Sequence, residues 1–156
     1  MLHVVLCRPE IPQNTGTLIR TAACLGFTLH VIHPLGFRLN ESKIKRAHMD
    51  YFRTDLFKAH DSFSDFLDWH HIHATSSRLI ALTPQAPNPM HTFSFQKNDI
   101  FLLGAESSGL SEAERQSAHH CLKISMTKSV RSLNVAIAAT LVVGKALSDA
   151  MLWPPY

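Results

Sequence analysis

The chain has 156 residues, of which 46% are hydrophobic and 17% charged, and its net charge is +3. This composition excludes a disordered or low-complexity chain, and the length predicts a single domain over residues 1–156. The mild positive charge permits a polyanionic partner without requiring one.

The N-terminal segments predict a βαβ unit. Leu2–Cys7 is short and nearly continuously apolar, as is typical of a strand buried on both faces. We expect Asn14 to cap a helix over Thr15–Leu25, and Gly26 to end it. Phe27–His33 predicts the second strand, and a helix between two strands favours a parallel sheet.

The middle of the chain alternates between helical and strand signals. A short basic helix is expected over residues 41–48, and a second helix around Asp61–Trp69, beginning at Ser62. Arg78–Thr83 predicts another buried strand, and a proline-rich extended connector follows it.

The C-terminal third contains two strands and two helices. Asp99–Glu106 predicts a strand that leads into a loop, and Ser111 with Glu114 predicts a capping box for a short helix. Cys121–Ser125 predicts the last strand. From about Leu133 a long helix follows whose first half is apolar on nearly every side, which indicates a subunit interface.

A glycine-containing loop follows the fourth predicted strand. GAESSGLS (Gly104–Ser111) has the glycine spacing of a phosphate-binding loop, but Leu110 replaces the lysine and Glu106 adds a carboxylate. These replacements argue against an ATPase or GTPase, because such loops direct a lysine and backbone N–H groups at phosphate. No two glycines are spaced G-x-G, so the dinucleotide fingerprint is absent. Either a structural turn or a site for a ligand that is not strongly anionic fits this loop.

Two further segments place polar side chains at strand–helix junctions. NTGTLIR contains Asn14, Gly16 and Arg20, with Arg20 one helical turn after the glycine. ISMTKSVRSLNVA enters the apolar helix through a loop that contains Ser132 and Asn134. Taken alone, Arg20 is typical of a solvated surface, and the polar residues are typical of helix caps.

Together the three segments resemble the motifs of the SPOUT superfamily, the trefoil-knotted methyltransferases that use S-adenosylmethionine. PEIPQNTGTLIR is similar to the first motif, LLGAESSGL to the second and ISM…SLN to the third, in the same order. The similarity covers nearly the whole chain. It is strongest to the small YibK/TrmL type, the 2′-O-methyltransferases of the tRNA wobble nucleotide.

This resemblance implies an α/β fold with a mostly parallel sheet, helices on both faces and a deep C-terminal trefoil knot. It implies that S-adenosylmethionine binds between the second and third motif loops. The cofactor-binding positions that carry over are Leu82, Gly104, Ile124 and Ser132, and Gly104 is expected to allow close approach of the backbone. A sulfonium cofactor without phosphate is compatible with a loop that contains a carboxylate and no lysine.

The implied reaction is methylation of the ribose 2′-hydroxyl of a wobble cytidine or uridine in the anticodon loop. The resemblance gives the central catalytic position to Arg20. Because guanidinium groups stay protonated in proteins, we expect a forked donor that holds a neighbouring phosphate. Glu106, Ser132 and Asn134 are the other catalytic candidates. Methylation of ribosomal RNA and a non-catalytic knotted RNA-binding dimer remain alternatives.

The expected partners are tRNA, through its anticodon stem-loop, and a second copy of the chain, through the C-terminal helix. Lys43, Lys45, Arg46 and Arg53 are candidates for phosphate contacts or a solvated basic face. The resemblance implies a composite site, in which the cofactor loops of one chain face Arg20 of its partner.

No segment predicts a membrane span or a targeting signal. Cys7, Cys24 and Cys121 lack C-x-x-C spacing, so reduced thiols in a cytoplasmic protein are expected. The histidines of Trp69–His73 and His119–His120 have no carboxylate or cysteine partner at ligand spacing, so no metal site is expected.

Overall fold

The structure, a computed structural model, describes residues 1–38, 53–128 and 132–155. Its sheet contains the strands β1 (His3–Cys7), β2 (Thr28–Ile32), β3 (Phe57–His60), β4 (Leu79–Leu82), β5 (Asn88–Pro89), β6 (Ile100–Leu103) and β7 (His120–Lys123). They lie in the order β3-β2-β1-β6-β4-β7-β5, and every pair is parallel. The predicted α/β class with a parallel sheet is confirmed.

Helices cover both faces of this sheet, as predicted. The described residues form α1 (Pro12–Leu25), α2 (Phe63–His73), α3 (Glu112–Gln116) and α4 (Val135–Asp149). Helices α1 and α4 pack on one face, and Phe66 of α2 anchors the cluster on the other. None of the helices in the described ranges is long and apolar enough to span a membrane.

The side chains of β1 show why its sequence is apolar throughout. Val4 and Leu6 belong to the cluster beneath α1 and α4, whereas Val5 and Cys7 belong to the cluster that contains Phe66. Successive side chains of a strand point to opposite faces, so a strand covered on both faces is apolar at every position.

Helix α1 begins earlier than predicted. It starts at Pro12, and its N-cap is Ile11, which makes no side-chain cap bond. Proline favours the first helical positions because its φ is already helical and its missing N–H would have no partner there. The prediction that Asn14 caps this helix is therefore wrong, since Asn14 lies inside the first turn and is buried. Gly26, with φ of 73°, ends the helix as predicted.

Two other predicted helix starts are confirmed, whereas α2 extends to His73, beyond the predicted Trp69, and β7 ends at Lys123, before the predicted Ser125. Two strands are additional. Ser62 caps α2 by accepting from the Asp65 N–H, and Ser111 with Glu114 forms the predicted capping box. The sequence does not predict β3, an edge strand whose two central residues are exposed, or β5, which has only two residues. The helix predicted over residues 41–48 lies outside the described residues.

Helix α4 is only partly covered by its own chain. Its buried side chains are Ala136, Ala139, Val142, Val143, Ala146 and Leu147. On another side, Ile137 and Leu141 are 51% and 45% exposed, and Leu133 before the helix is 38% exposed. The helix therefore presents an apolar stripe, Leu133–Ile137–Leu141, that the described residues leave open.

Candidate functional site

A cavity of about 450 Å³ lies where the carboxyl ends of β4, β6 and β7 meet the N-terminal ends of α1 and α4. All four predicted cofactor-binding residues line it, namely Leu82, Gly104, Ile124 and Ser132. Ligands of parallel α/β sheets bind at this edge because the loops that follow the strands converge there. The volume falls within the range of about 300–1000 Å³ that is usual for small-molecule sites.

The two glycines of the loop that follows β6 serve the loop itself. A Cβ on Gly104 would lie 2.0 Å from the carbonyl carbon of Gly109, so the two ends of the loop touch backbone to backbone. Gly109 has a φ of 69°, and its N–H donates to the Ala105 carbonyl at 2.8 Å. Gly104 therefore permits a close approach, as predicted, but the backbone that approaches it is that of Gly109 and Leu110.

Glu106 attaches this loop to the first motif segment. Its Oε2 accepts the backbone N–H of Glu10 at 2.7 Å, and its Oε1 accepts Nδ2 of Asn14 at 2.8 Å. In return, the Glu10 carboxylate accepts the N–H of Ser107 at 2.8 Å and its hydroxyl at 2.6 Å. These two bonds from Ser107 lower the pKa of Glu10. The loop is thus held by two carboxylates, each bound to the opposite segment.

Asn14 joins the second and third motif segments. Its amide donates to Glu106, and its Oδ1 accepts Nδ2 of Asn134 at 2.8 Å. The Oδ1 of Asn134 caps α4 by accepting from the N–H groups of Ala136 and Ile137. The Glu106 carboxylate fixes the nitrogen of Asn14, and the N–H groups of α4 fix the oxygen of Asn134, so the bond between the two amides runs from Asn134 to Asn14. The row Glu106–Asn14–Asn134 therefore connects all three motifs beside the cavity.

The structure does not bring Arg20 into this cavity. Glu106, Ser132 and Asn134, the other predicted catalytic residues, all line it, but Arg20 does not and is exposed on α1. Arg20 follows Asn14 by six residues, which places it about 9 Å farther along the helix and roughly 120° around it. Within one chain, the arginine and the cavity are therefore separate.

The described lining of the cavity combines apolar and uncharged polar residues with one carboxylate. Among the described residues that line it, none is a lysine, arginine or histidine, and Glu106 is the carboxylate. Leu82, Ile124, Val135 and Ala138 supply apolar surface. Such a lining is poor for a phosphate and suitable for an uncharged ring system that carries a cationic group.

Comparison with known proteins identifies the family of the chain. The family model of the SpoU rRNA methylases matches residues 1–144. The chain belongs to this family. It is 39% identical over 146 residues to a tRNA (cytidine(34)-2′-O)-methyltransferase of Ancylobacter novellus, which covers 94% of the chain and 91% of that relative.

Solved structures of the SpoU family share the fold. A structure concerning the 2-OH methylation of C/U34 on tRNA is 41% identical and has a TM-score of 0.85, covering 96% of this chain and 95% of that one. The SpoU methyltransferase AviRb of Streptomyces viridochromogenes, in complex with AdoMet, is 26% identical. It has a TM-score of 0.84 and covers 99% of this chain and 59% of its own.

Several contacts of the candidate site cannot be read from the motifs. The structure adds Glu10, Ser107 and the turn that begins at Thr83, which also borders the cavity. Pro12 is the sequence signal that places Asn14 inside the helix. A helix that begins at this proline turns Asn14 and Leu18 to the same buried side. In the described ranges, no group of three or more His, Cys, Asp or Glu could hold a metal.

Proposed function

We propose that this chain transfers a methyl group from S-adenosylmethionine to the ribose 2′-hydroxyl of nucleotide 34 in tRNA. The observation that carries the proposal is the cavity at the carboxyl edge of the sheet, which contains the predicted cofactor positions and no basic side chain among its described lining residues. The names of relatives that match nearly the full chain support the substrate.

The cavity fits this cofactor in chemical terms. Leu82, Ile124 and Ala138 would enclose the adenine ring, and the backbone groups at Gly104 and Leu110 would bind its polar edge. Glu106 supplies negative charge for a cationic ligand. When bound, the cofactor supplies a methyl group on a positively charged sulfur, which is already activated for displacement.

The protein must orient the ribose and help its hydroxyl lose a proton. Glu106 and Asn134 bind each other through Asn14, so we assign them to positioning the walls of the site. Ser132 lies exposed at the cavity and can hydrogen-bond the incoming nucleotide. Arg20 holds a phosphate beside the ribose in a bidentate contact, and the proton leaves to that phosphate or to water.

A homodimer would bring Arg20 to the cavity. The exposed stripe Leu133–Ile137–Leu141 is apolar, and Ile11, 42% exposed, also borders the cavity. A second copy packed on this stripe in a two-fold arrangement would bury it and could place its own α1 beside the cavity. We therefore assign the cofactor pocket to one chain and the catalytic arginine to its partner.

Four further properties belong to the same proposal. Residues 1–156 act as one domain, because the strands from β1 to β7 form one sheet. The C-terminal segment forms the trefoil knot expected of the family. The protein works in the cytoplasm on the tRNA anticodon stem-loop, which agrees with its three free cysteines. Arg53, which pairs with Asp55 at 2.9 Å on the surface, remains available for RNA phosphate.

The shared site is tested with mixed dimers. Arg20→Ala removes the forked donor, and Ile124→Trp fills the cavity from a half-buried position. A shared site predicts that confirmed heterodimers of the two inactive variants recover up to about half of the wild-type methylation, because one site carries both lesions and the other none. If each site used a single chain, the heterodimers would stay inactive.

The substrate is tested separately with unmodified transcripts. Methylation of position 34 in a tRNA, mapped in the product, supports the proposal. The family name raises ribosomal RNA as a second candidate. Activity on ribosomal RNA with none on any tRNA would assign the enzyme to that substrate, and binding of S-adenosylmethionine without methylation of either RNA would favour a non-catalytic binder.

A further inference from the structure

An ion pair outside the cavity connects Arg8, which follows β1, to Glu114 of α3, the helix that follows the loop Gly104–Ser111. Arg8 follows β1 directly and donates through both terminal nitrogens to the Glu114 carboxylate, with Nη2 to Oε2 at 3.0 Å. The Glu114 side chain is 2% exposed, and that of Arg8 is 29% exposed. Neither residue lines the cavity.

Glu114 transmits the position of Arg8 to the loop. Its Oε2 also accepts the Ser111 N–H at 2.6 Å, and the Ser111 hydroxyl accepts the Glu114 N–H, which closes the capping box of α3. Ser111 follows Leu110 directly, and Leu110 with Gly109 forms the backbone that touches Gly104. A displacement of α3 would therefore move Gly109 and Leu110, the end of the loop that forms one wall of the cavity.

The other end of the loop is held by the same segment, residues 8–10, which follows β1. Glu10 lies two residues after Arg8 and binds Glu106 and Ser107 at the beginning of the loop. Residues 8–10 thus fasten the loop at both ends, which leaves its turn between two fixed points. The Arg8 backbone is fixed in turn, because its N–H donates to the Ile32 carbonyl of β2 at 3.0 Å.

We propose that the Arg8–Glu114 ion pair is a positioning device that sets the affinity of the cavity for S-adenosylmethionine without contacting it. The inference rests on the proposed function. The burial of Glu114 raises its pKa, but the hydrogen bonds from Arg8 and Ser111 outweigh this and hold it below the usual value, so the pair remains ionised. Loss of either partner leaves the charge of the other without its counter-charge and releases α3.

The chain contains a matched control pair at the amino ends of β4 and β6, whereas the cavity lies at their carboxyl ends. Arg78, which precedes β4, binds Asp99, which precedes β6, through Nε at 2.8 Å and Nη2 at 2.7 Å. The side chain of Asp99 is 1% exposed and that of Arg78 is 23% exposed, values close to those of Glu114 and Arg8. Neither control residue borders the cavity.

The test compares Arg8→Met, Glu114→Gln, their combination and Arg78→Met in the full chain. Calorimetry with S-adenosylmethionine measures Kd, and thermal unfolding measures Tm. We expect Kd to rise about tenfold in each single variant of the first pair and no further in the combination, since the two side chains act as one unit. Arg78→Met is expected to lower Tm by a similar amount while Kd stays within about twofold.

Steady-state kinetics separates positioning from general destabilisation. The KM for S-adenosylmethionine should rise in Arg8→Met, while kcat and the KM for RNA stay near the wild-type values. Arg8→Lys, which keeps the charge but cannot chelate both oxygens, should give an intermediate Kd and serves if Arg8→Met does not fold. An unchanged Kd in Arg8→Lys and in either folded single variant would overturn the inference. A wild-type chain that fails to bind S-adenosylmethionine would overturn the proposed function together with it.

Discussion

Two rows of hydrogen-bonded side chains connect neighbouring elements in this molecule, and they differ in what covers them. The row Glu106–Asn14–Asn134 contains a carboxylate and borders the cavity. It joins the loop after β6 to the N-terminal ends of α1 and α4. The second row lies on the sheet beneath α2, where Nδ1 of His3 is 3.0 Å from Nε2 of His30 and Nδ1 of His30 is 2.9 Å from Nε2 of His60.

The histidine row is closed by aromatic rings and contains no charge. Trp69 lies 4.4 Å from the His30 ring, and Phe66 packs edge-on against both His30 and His60. Burial lowers the pKa of His3 to about 4 and that of His30 to about 2, with the neighbouring positive charges adding to the effect. A polar row that opens into a cavity can act on a ligand, whereas an enclosed neutral row contributes to stability and to its pH dependence.

The largest expected effect concerns the loop that the first row holds. Gly104→Ala should abolish binding of S-adenosylmethionine, with at least a hundredfold rise in Kd, because its Cβ cannot coexist with the backbone of Gly109 at 2.0 Å. Calorimetry measures the affinity and circular dichroism checks the fold.

A second glycine of the same loop provides the control for this prediction. Gly109 needs a positive φ but has free space around its Cβ position. Asn tolerates that conformation better than other residues, so Gly109→Asn should keep most of the affinity. Wild-type affinity in a folded Gly104→Ala protein would show that the contact between the loop ends is not required.

A smaller effect is expected for the centre of the first row. Asn14→Ala removes the bonds to Glu106 and Asn134, and a bond to a charged group contributes about 1.5–3 kcal/mol, so Kd should rise about tenfold or more. Gln13→Ala, which changes an exposed neighbour on α1, should leave Kd unchanged.

Asn14→Asp tests the charge of Glu106 at the same position. Two carboxylates would then face each other where an amide now donates, so binding should be weaker than in Asn14→Ala at pH 8. It should recover toward Asn14→Ala at pH 6, as one of the pair takes up a proton. Equal affinities of the two variants at both pH values would contradict the role assigned to Glu106.

The contrast between the two rows also shows what the sequence could predict. The first row consists of residues of the three motif segments, and the resemblance to the SPOUT family predicts the cofactor positions Leu82, Gly104, Ile124 and Ser132, which line the cavity. The histidine row joins three strands, and its pairing depends on register, with Val5 opposite His30 and Ile32 opposite His60. Registers of parallel strands and the position of α2 are long-range properties that no local pattern encodes.

The smallest expected effect on cofactor affinity, and the clearest on stability, comes from the histidine row. An unfolded histidine takes up a proton near pH 6.5, whereas folded His3 and His30 do so only at lower pH, so the unfolded state gains protons first. Stability is therefore complete above about pH 6.5 and is lost as the pH falls toward 4, by up to about 1.4 kcal/mol per pH unit for each histidine.

Replacing His30 isolates its share of this slope. His30→Gln keeps a donor and an acceptor between His3 and His60 but cannot titrate, so the pH dependence of the unfolding free energy between pH 6.5 and 5 should become shallower by up to about 1.4 kcal/mol per unit. Urea unfolding at several pH values measures this pH dependence, and His71→Gln, an exposed site on α2, gives the baseline for replacing a surface histidine.

The Kd for S-adenosylmethionine at pH 7.5 should stay unchanged in His30→Gln, because the row lies under α2 and does not border the cavity. A slope equal to that of His71→Gln would mean that folded His30 takes up its proton at the same pH as an unfolded histidine, and a changed Kd would mean that the two rows are coupled through β1.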